Sequence, residues 1–253
     1  MSAVPRYAGS VTDLPVLGAV PAPAVPGAVP APAVFGAVPA PAGLFISFEG
    51  GDGVGKTTQI ARVAALLRAA GVESVVTREP GGTALGTEIR RILLHGGAVS
   101  PRAEALLYAA DRAHHVDTVI RPALARGAVV LTDRYLDSSV AYQGAARSLG
   151  PDEVRHLSLW ATAGLLPDLT VLLDADPSLA ARRTSGRGAQ DRLEREGGDF
   201  RAALREQFLD LAAAEPGRIT VVDADQDREV VTADVLAALA PPLRERLGVE
   251  VSP

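Results

Sequence analysis

Eight consecutive residues constrain this chain more than any others. Gly50-Gly51-Asp52-Gly53-Val54-Gly55-Lys56-Thr57 follows the apolar run LFISFE (44–49) and precedes a helical pattern that starts near residue 55. The spacing is G-x-x-x-x-G-K-[ST] in full, set between a strand and a helix. Glycines let the backbone curl so that successive N–H groups point at one anion. The N-terminal end of the following helix adds positive potential. Lys56 then reaches the β- and γ-phosphates of a bound ATP and the Thr57 hydroxyl ligates Mg²⁺, with Gly50–Gly55 and Thr58 also expected to bind ATP. One count sharpens this reading. Of 25 basic residues, Lys56 is the sole lysine and the other 24 are arginine. A chain that uses arginine everywhere else keeps a compact ammonium where a planar fork would not serve.

The remainder of the chain fits a single α/β unit. β-Branched runs at 44–49, 73–79, 128–134, 168–175 and 218–224 alternate with helical patterns at about 55–70, 84–94, 101–126, 137–148, 152–165, 177–184, 198–214 and 227–247. Runs such as VVL and VLL show no polar alternation, as expected of strands covered on both faces. The expected architecture is a P-loop NTPase three-layer α/β fold: a five-stranded parallel sheet flanked by helices, with a mobile lid. This domain spans 43–250.

Residues 1–42 are different. They hold nine of the 19 prolines, two charges (Arg6 and Asp13) and a nine-residue repeat, GAVPAPAVP from Gly18 and GAVPAPAVF from Gly27. No charge occurs between Leu14 and Phe48, yet the eight prolines there break any membrane-spanning helix. A disordered or polyproline-II tail is expected, with no membrane contact and no part in catalysis. The net charge of −5 argues against nucleic acid as a partner. The absence of cysteine excludes disulfides, Cys-ligated zinc and thiol chemistry. The four histidines have no metal-ligand spacing.

A phosphate loop needs a second metal anchor at the end of a buried strand. Asp133, closing AVVLTD, is favoured over Asp174, closing TVLLD, because Arg134 follows it at the carboxyl end of the strand, where ligands bind in open α/β sheets. No N-K-x-D guanine-reading motif exists, since the only lysine is already used. The segment ARRTSGRGAQDRLERE (181–196) places four arginines between Arg182 and Arg192 around glycines, which suits a flap (about 182–196) that carries positive charge over a transferring phosphoryl group.

Taken together, the blocks FEGGDGVGKTT (48–58), TREPGGTALGTEIR (77–90), ALLYAADRAHHV (105–116), DRYLDSSVAYQG (133–144) and GRGAQDRLE (186–194) resemble the thymidylate kinase family of nucleoside-monophosphate kinases. The resemblance implies ATP-dependent phosphorylation of deoxythymidine monophosphate, Mg²⁺, a cytoplasmic enzyme and a homodimer. It implies Asp52 near the sugar hydroxyl and the catalytic centre, Tyr108 stacked on thymine, and Arg112 bonded to the base. It places Arg134 on the acceptor phosphate with Arg78 in the same region, Ser139 near the base, and Tyr142 against the deoxyribose with Gln143 beside it. Some members carry an arginine inside the phosphate loop. Here that stretch is Asp52-Gly53-Val54-Gly55, so the resemblance shifts the catalytic charge to the lid, to Arg187 with Arg183. The alternatives on the residues alone are a kinase of another nucleotide or nucleoside and a non-catalytic ATP-binding module.

Overall fold

A computed structural model describes residues 43–184 and 197–250. The readings made for the Pro/Ala-rich segment 1–42, and for lid residues 185–196 with Arg187, lie outside the described residues. β1 (Leu44–Glu49) is the centre of a five-stranded sheet. The order across it is β2 (Ser74–Arg78), β3 (Val129–Asp133), β1, β4 (Leu169–Asp174) and β5 (Ile219–Asp223), and every pairing is parallel. All five expected strands are present.

The unalternated apolar runs are explained by cover on both faces. Leu44, Ile46 and Phe48 of β1 pack with Ile60, Val63 and Leu67 of α1 (Lys56–Ala69) and Val235, Leu239 and Leu243 of α9 (Arg228–Leu247). Phe45, on the opposite face, joins Ile120, Leu124, Tyr135 and Leu136. That second face is covered by the segment Val116–Ile120, which continues α3 (Pro101–His115), by α4 (Arg121–Ala125) and by the start of α5 (Leu136–Ser139). α2 (Ala84–His95) and α6 (Pro151–Ala161) pack against α3. α7 (Pro177–Thr184) precedes residues 185–196, and α8 (Gly198–Ala214) follows them.

Three helices depart from the expected pattern. The segment expected at 101–126 is continuous, but Val116–Ile120 is wound as a π-helix. Pro122, just beyond, lacks an N–H and crowds the preceding turn, which a wider turn accommodates. The helix expected at 137–148 is α5 followed by a second π-helical segment, Val140–Ala146. The helix expected at 152–165 stops at Ala161, because Ala163 (φ 47) and Gly164 (φ 75) turn left-handed and Gly164 N–H closes onto Leu159 O at 2.8 Å. Among the described residues, no helix is long and apolar enough to cross a membrane.

Candidate active site

The phosphate loop joins β1 to α1. Gly50 sits at φ 122, and a Cβ there would lie 2.3 Å from the Leu173 carbonyl oxygen, so only glycine fits. Gly55, at φ 108, caps α1, while buried Val54 pins the loop to the core. Lys56 Nζ donates to the carbonyl oxygens of Gly50 (3.0 Å) and Gly51 (2.7 Å), folding the lysine over the loop that it would share with phosphate. Burial, then the neighbouring Arg134, pushes the Lys56 ammonium below its usual range, against the pull of Asp133, Asp52 and Glu49.

Sheet register explains the next contact. Asp133 lies opposite Phe48 across the β1–β3 pairing, so the end of β3 stands beside the loop. The Thr57 hydroxyl donates to Asp133 Oδ2 at 3.0 Å. Asp174 is occupied elsewhere, in a two-pronged pair with Arg205 at 2.7 Å on each oxygen. The structure therefore places Thr57 and Asp133 in contact, while Asp174 is paired with Arg205.

Arg134 is the hub of the site. It is one of three described non-glycine residues at positive φ (71°), a conformation of the kind that functional sites retain at a cost. From there Nη1 donates to Gly50 O (3.1 Å) and Ser138 Oγ (2.9 Å), and Nη2 to Asp52 Oδ1 and Tyr142 Oη (3.1 Å). Burial opposes the guanidinium charge, but the Tyr142 phenol and the carboxylates of Asp52, Asp133 and Glu49 outweigh it and raise the group's proton affinity. Burial would likewise raise the Asp52 carboxyl. Arg134 and Lys56, with hydrogen bonds from Arg134 and Tyr142, reverse this and hold it down at about 2.

Tyr108, Arg112, Ser139, Tyr142 and Gln143 line one cavity together with Arg134. Lys56, Thr57, Thr58, Arg78 and Asp133 line an adjoining cleft, and Asp52 and Arg134 stand between the two. Arg112 is almost wholly buried. Nε donates to Glu79 Oε2 (2.7 Å), Nη1 to Ser158 Oγ (3.0 Å), and Nη2 to Tyr135 O (3.1 Å) and Ser139 Oγ (3.0 Å). Those bonds take four of its five N–H groups and leave one on Nη1. Burial opposes its charge, but Glu79 prevails and raises its proton affinity. Ser139 thus reaches the cavity partly as a brace for Arg112. Arg183 lies apart, bonded to Ala224 O (3.0 Å) at the end of β5.

Four charged residues carry the site without having been singled out in the sequence. Glu79 takes Arg112 on one oxygen and His115 Nδ1 (2.9 Å) on the other. Glu104 receives Gln143 Nε2 at 2.9 Å. Arg90 lines both the cavity and the cleft, with Nη1 on Pro80 O (2.9 Å). Glu49 accepts from Tyr135 N–H (2.7 Å) and Ser138 Oγ (2.6 Å), which fixes the turn that carries Arg134. The signal for Glu49 was a carboxylate closing an otherwise apolar strand.

Glu49 also titrates abnormally. Burial first, and then the Asp137 carboxylate, pushes it up to about 7 from an ordinary 4.5, against Ser138, Arg134 and Tyr135. A raised carboxyl stabilises the fold below 4.5, and that contribution fades as pH rises through about 7. Asp52 has the opposite sign, and its contribution disappears only as pH falls towards 2. Asp111, raised to about 6 by burial and then by Glu79, overlaps the Glu49 window, so a difference from wild type is needed to isolate Glu49. Glu49→Gln should therefore gain stability relative to wild type between pH 5 and pH 8, by on the order of 3 kcal/mol at most. Thermal melts across that range check it, and parallel pH curves for the two proteins would contradict it.

The family model described as "Thymidylate kinase" matches residues 48–235. A thymidylate kinase of Clavibacter sepedonicus is 64% identical over 197 residues, covering 77% of this chain and 93% of the relative. One of Bifidobacterium longum (strain DJO10A) is 61% identical over 199 residues, covering 77% and 96%. One of Deinococcus radiodurans is 51% identical over 199 residues, covering 78% and 97%.

Proposed function

Because this chain belongs to the thymidylate kinase family, an ATP-dependent phosphotransferase forming deoxythymidine diphosphate from the monophosphate, we propose that the two adjoining hollows divide the reaction between them. The cleft over the phosphate loop takes ATP and the cavity takes the acceptor. Arg134, which borders both, grips the acceptor phosphate in line with the γ-phosphate. The single observation that carries this is the Arg134 hub, which touches the loop through Gly50 and the cavity through Tyr142. Arg78 and Arg90 flank the same region and share the phosphate charge. The acceptor oxygen is already anionic at neutral pH, so positioning and charge neutralisation do the work and no general base is invoked.

In the cavity the Tyr108 ring offers a face for the base. The remaining Arg112 Nη1 N–H is available to a base carbonyl, and Gln143 to the neighbouring ring N–H. Tyr142, held by Asp52 and Arg134, forms a wall on the sugar side that leaves little room for a 2′-hydroxyl. With no arginine in the phosphate loop, Arg187 of the lid is assigned the charge over the γ-phosphate, and Arg183 the nucleotide side near β5.

Thr57 and Asp133 fit Mg²⁺, a hard cation that takes one or two protein oxygens and completes its shell with phosphate and water oxygens. When bound there, the ion neutralises charge on the β- and γ-phosphates. Asp133→Asn should raise the Mg²⁺ concentration for half-maximal turnover about tenfold or more, since loss of even an outer-shell partner of a metal ligand costs about that much in metal affinity. An unchanged Mg²⁺ titration would remove Asp133 from the metal site.

A homodimer is the assembly we assign. Leu85 and Ile92 on α2, Leu106 on α3 and Trp160 on α6 are large apolar residues left exposed on helices that pack together, and Trp160 is 82% exposed. Trp160→Glu should shift the sedimentation of the full chain from dimer to monomer. A wild type that sediments as a monomer at micromolar concentration would overturn the assignment.

A further inference from the structure

We infer that Glu104 is a positioning residue for acceptor choice, because it fixes which end of the Gln143 amide faces the base. The inference rests on the proposed base contact of Gln143. Glu104 is 1% exposed on α3. Gln143 Nε2 donates to Glu104 Oε1 at 2.9 Å, and Arg147 answers the carboxylate charge from 3.8 Å. A carboxylate only accepts, so the amide nitrogen must face it and the amide oxygen must face away.

Gln143 lines the acceptor cavity and is itself only 1% exposed. Among the described residues, Asp111 Oδ2 is the one enclosed side-chain polar atom without a partner. Gln143 Oε1 takes no hydrogen bond from a described residue and is not enclosed, so the cavity is where it opens. The cavity is therefore lined by an acceptor from Gln143 and by a donor from Arg112. Thymine offers the complement, a ring N3–H next to a carbonyl. Cytosine offers the reverse at both positions, a bare N3 next to an amino group. Arg112 opposes the amino group whatever Gln143 does. Glu104 adds the second half of the discrimination, because it denies Gln143 the flip that would suit cytosine.

Glu104→Gln keeps the shape but can donate as well as accept, so the Gln143 amide can turn over. For this variant of the full chain, kcat/KM with deoxythymidine monophosphate should fall about tenfold, carried by KM. The ratio of that value to the one for deoxycytidine monophosphate should fall about thirtyfold, since the flipped amide now accepts cytosine. Glu104→Asp, still an acceptor only, should keep the ratio within about threefold of wild type even if both substrates bind less tightly. If Glu104→Gln is not obtained folded, the neutral double variant Glu104→Gln/Arg147→Gln carries the same measurement. A purely structural role would lower both substrates in parallel. An unchanged ratio, or an equal collapse in Glu104→Asp, overturns the inference. Gln143→Leu separates the two levels. If it too leaves the ratio unchanged, the base contact of Gln143 itself is wrong; if it alone moves the ratio, only the role of Glu104 fails.

Discussion

Lys56→Arg should lower turnover with ATP about 10²- to 10³-fold, although arginine is the chain's ordinary cation. The ammonium sits on a thin stem, 2.7–3.0 Å from two loop carbonyls, inside a curl shaped by glycines at positive φ. A guanidinium is wider, planar and fixed in its donor directions, so it must displace the loop or stand outside it. Either outcome removes a charge aimed where the transferring phosphoryl group becomes more negative. Binding of the acceptor alone should change little, because its cavity does not include Lys56. Initial-rate measurements with acceptor binding by calorimetry check both halves, and a variant with near wild-type turnover contradicts the account.

Arg134→Ala should cost about 10³-fold or more in kcat/KM for the acceptor. Four partners converge on this one side chain: Gly50 O, Ser138 Oγ, Asp52 and Tyr142. Its loss strips the acceptor phosphate of a cation, and it also leaves the Asp52 carboxylate beside that phosphate with less opposing charge. Arg134→Lys should recover only part of the loss, because one ammonium cannot span a carbonyl, a hydroxyl, a carboxylate and a phenol in the fork geometry. Removing Asp52 together with Arg134 should cost less than the sum of the two single changes, since the pair is coupled. A loss below about tenfold in Arg134→Ala would remove this residue from the acceptor site.

The fold was legible because its signals are local. Unalternated β-branched runs gave five parallel strands, and the loop motif located β1 and α1. Strand order was not read from the sequence; the structure sets β3 beside β1, which brings Asp133 to Thr57. Helix interiors were less legible. A proline after the turn at Val116–Ile120, and left-handed residues at Ala163 and Gly164, decide where α-geometry gives way, and neither follows from apolar period alone. The site divides in the same manner. Lys56, Thr57, Asp133 and Arg134 stand out by motif and strand position, whereas Tyr108 and Arg112 were legible only through the family resemblance. Glu49, Glu79 and Glu104 touch their partners only across 33 to 89 residues of sequence. Their work is to orient Ser138, Arg112 and Gln143, and a bracing carboxylate in a lone sequence looks like any solvated one.

The most direct test is a panel of acceptors at fixed ATP and Mg²⁺ with the wild-type chain. Deoxythymidine monophosphate should be phosphorylated fastest. Deoxyuridine monophosphate should be poorer by about five- to tenfold, since one buried methyl group contributes only about 1 kcal/mol. Deoxycytidine monophosphate should fall about 10²-fold or more behind, because both Arg112 and Gln143 would face groups of their own kind. Uridine monophosphate should fall similarly far, for want of room at Tyr142. If deoxycytidine monophosphate were phosphorylated as well as the thymidine nucleotide, the base-reading roles given to Arg112 and Gln143 would both be wrong.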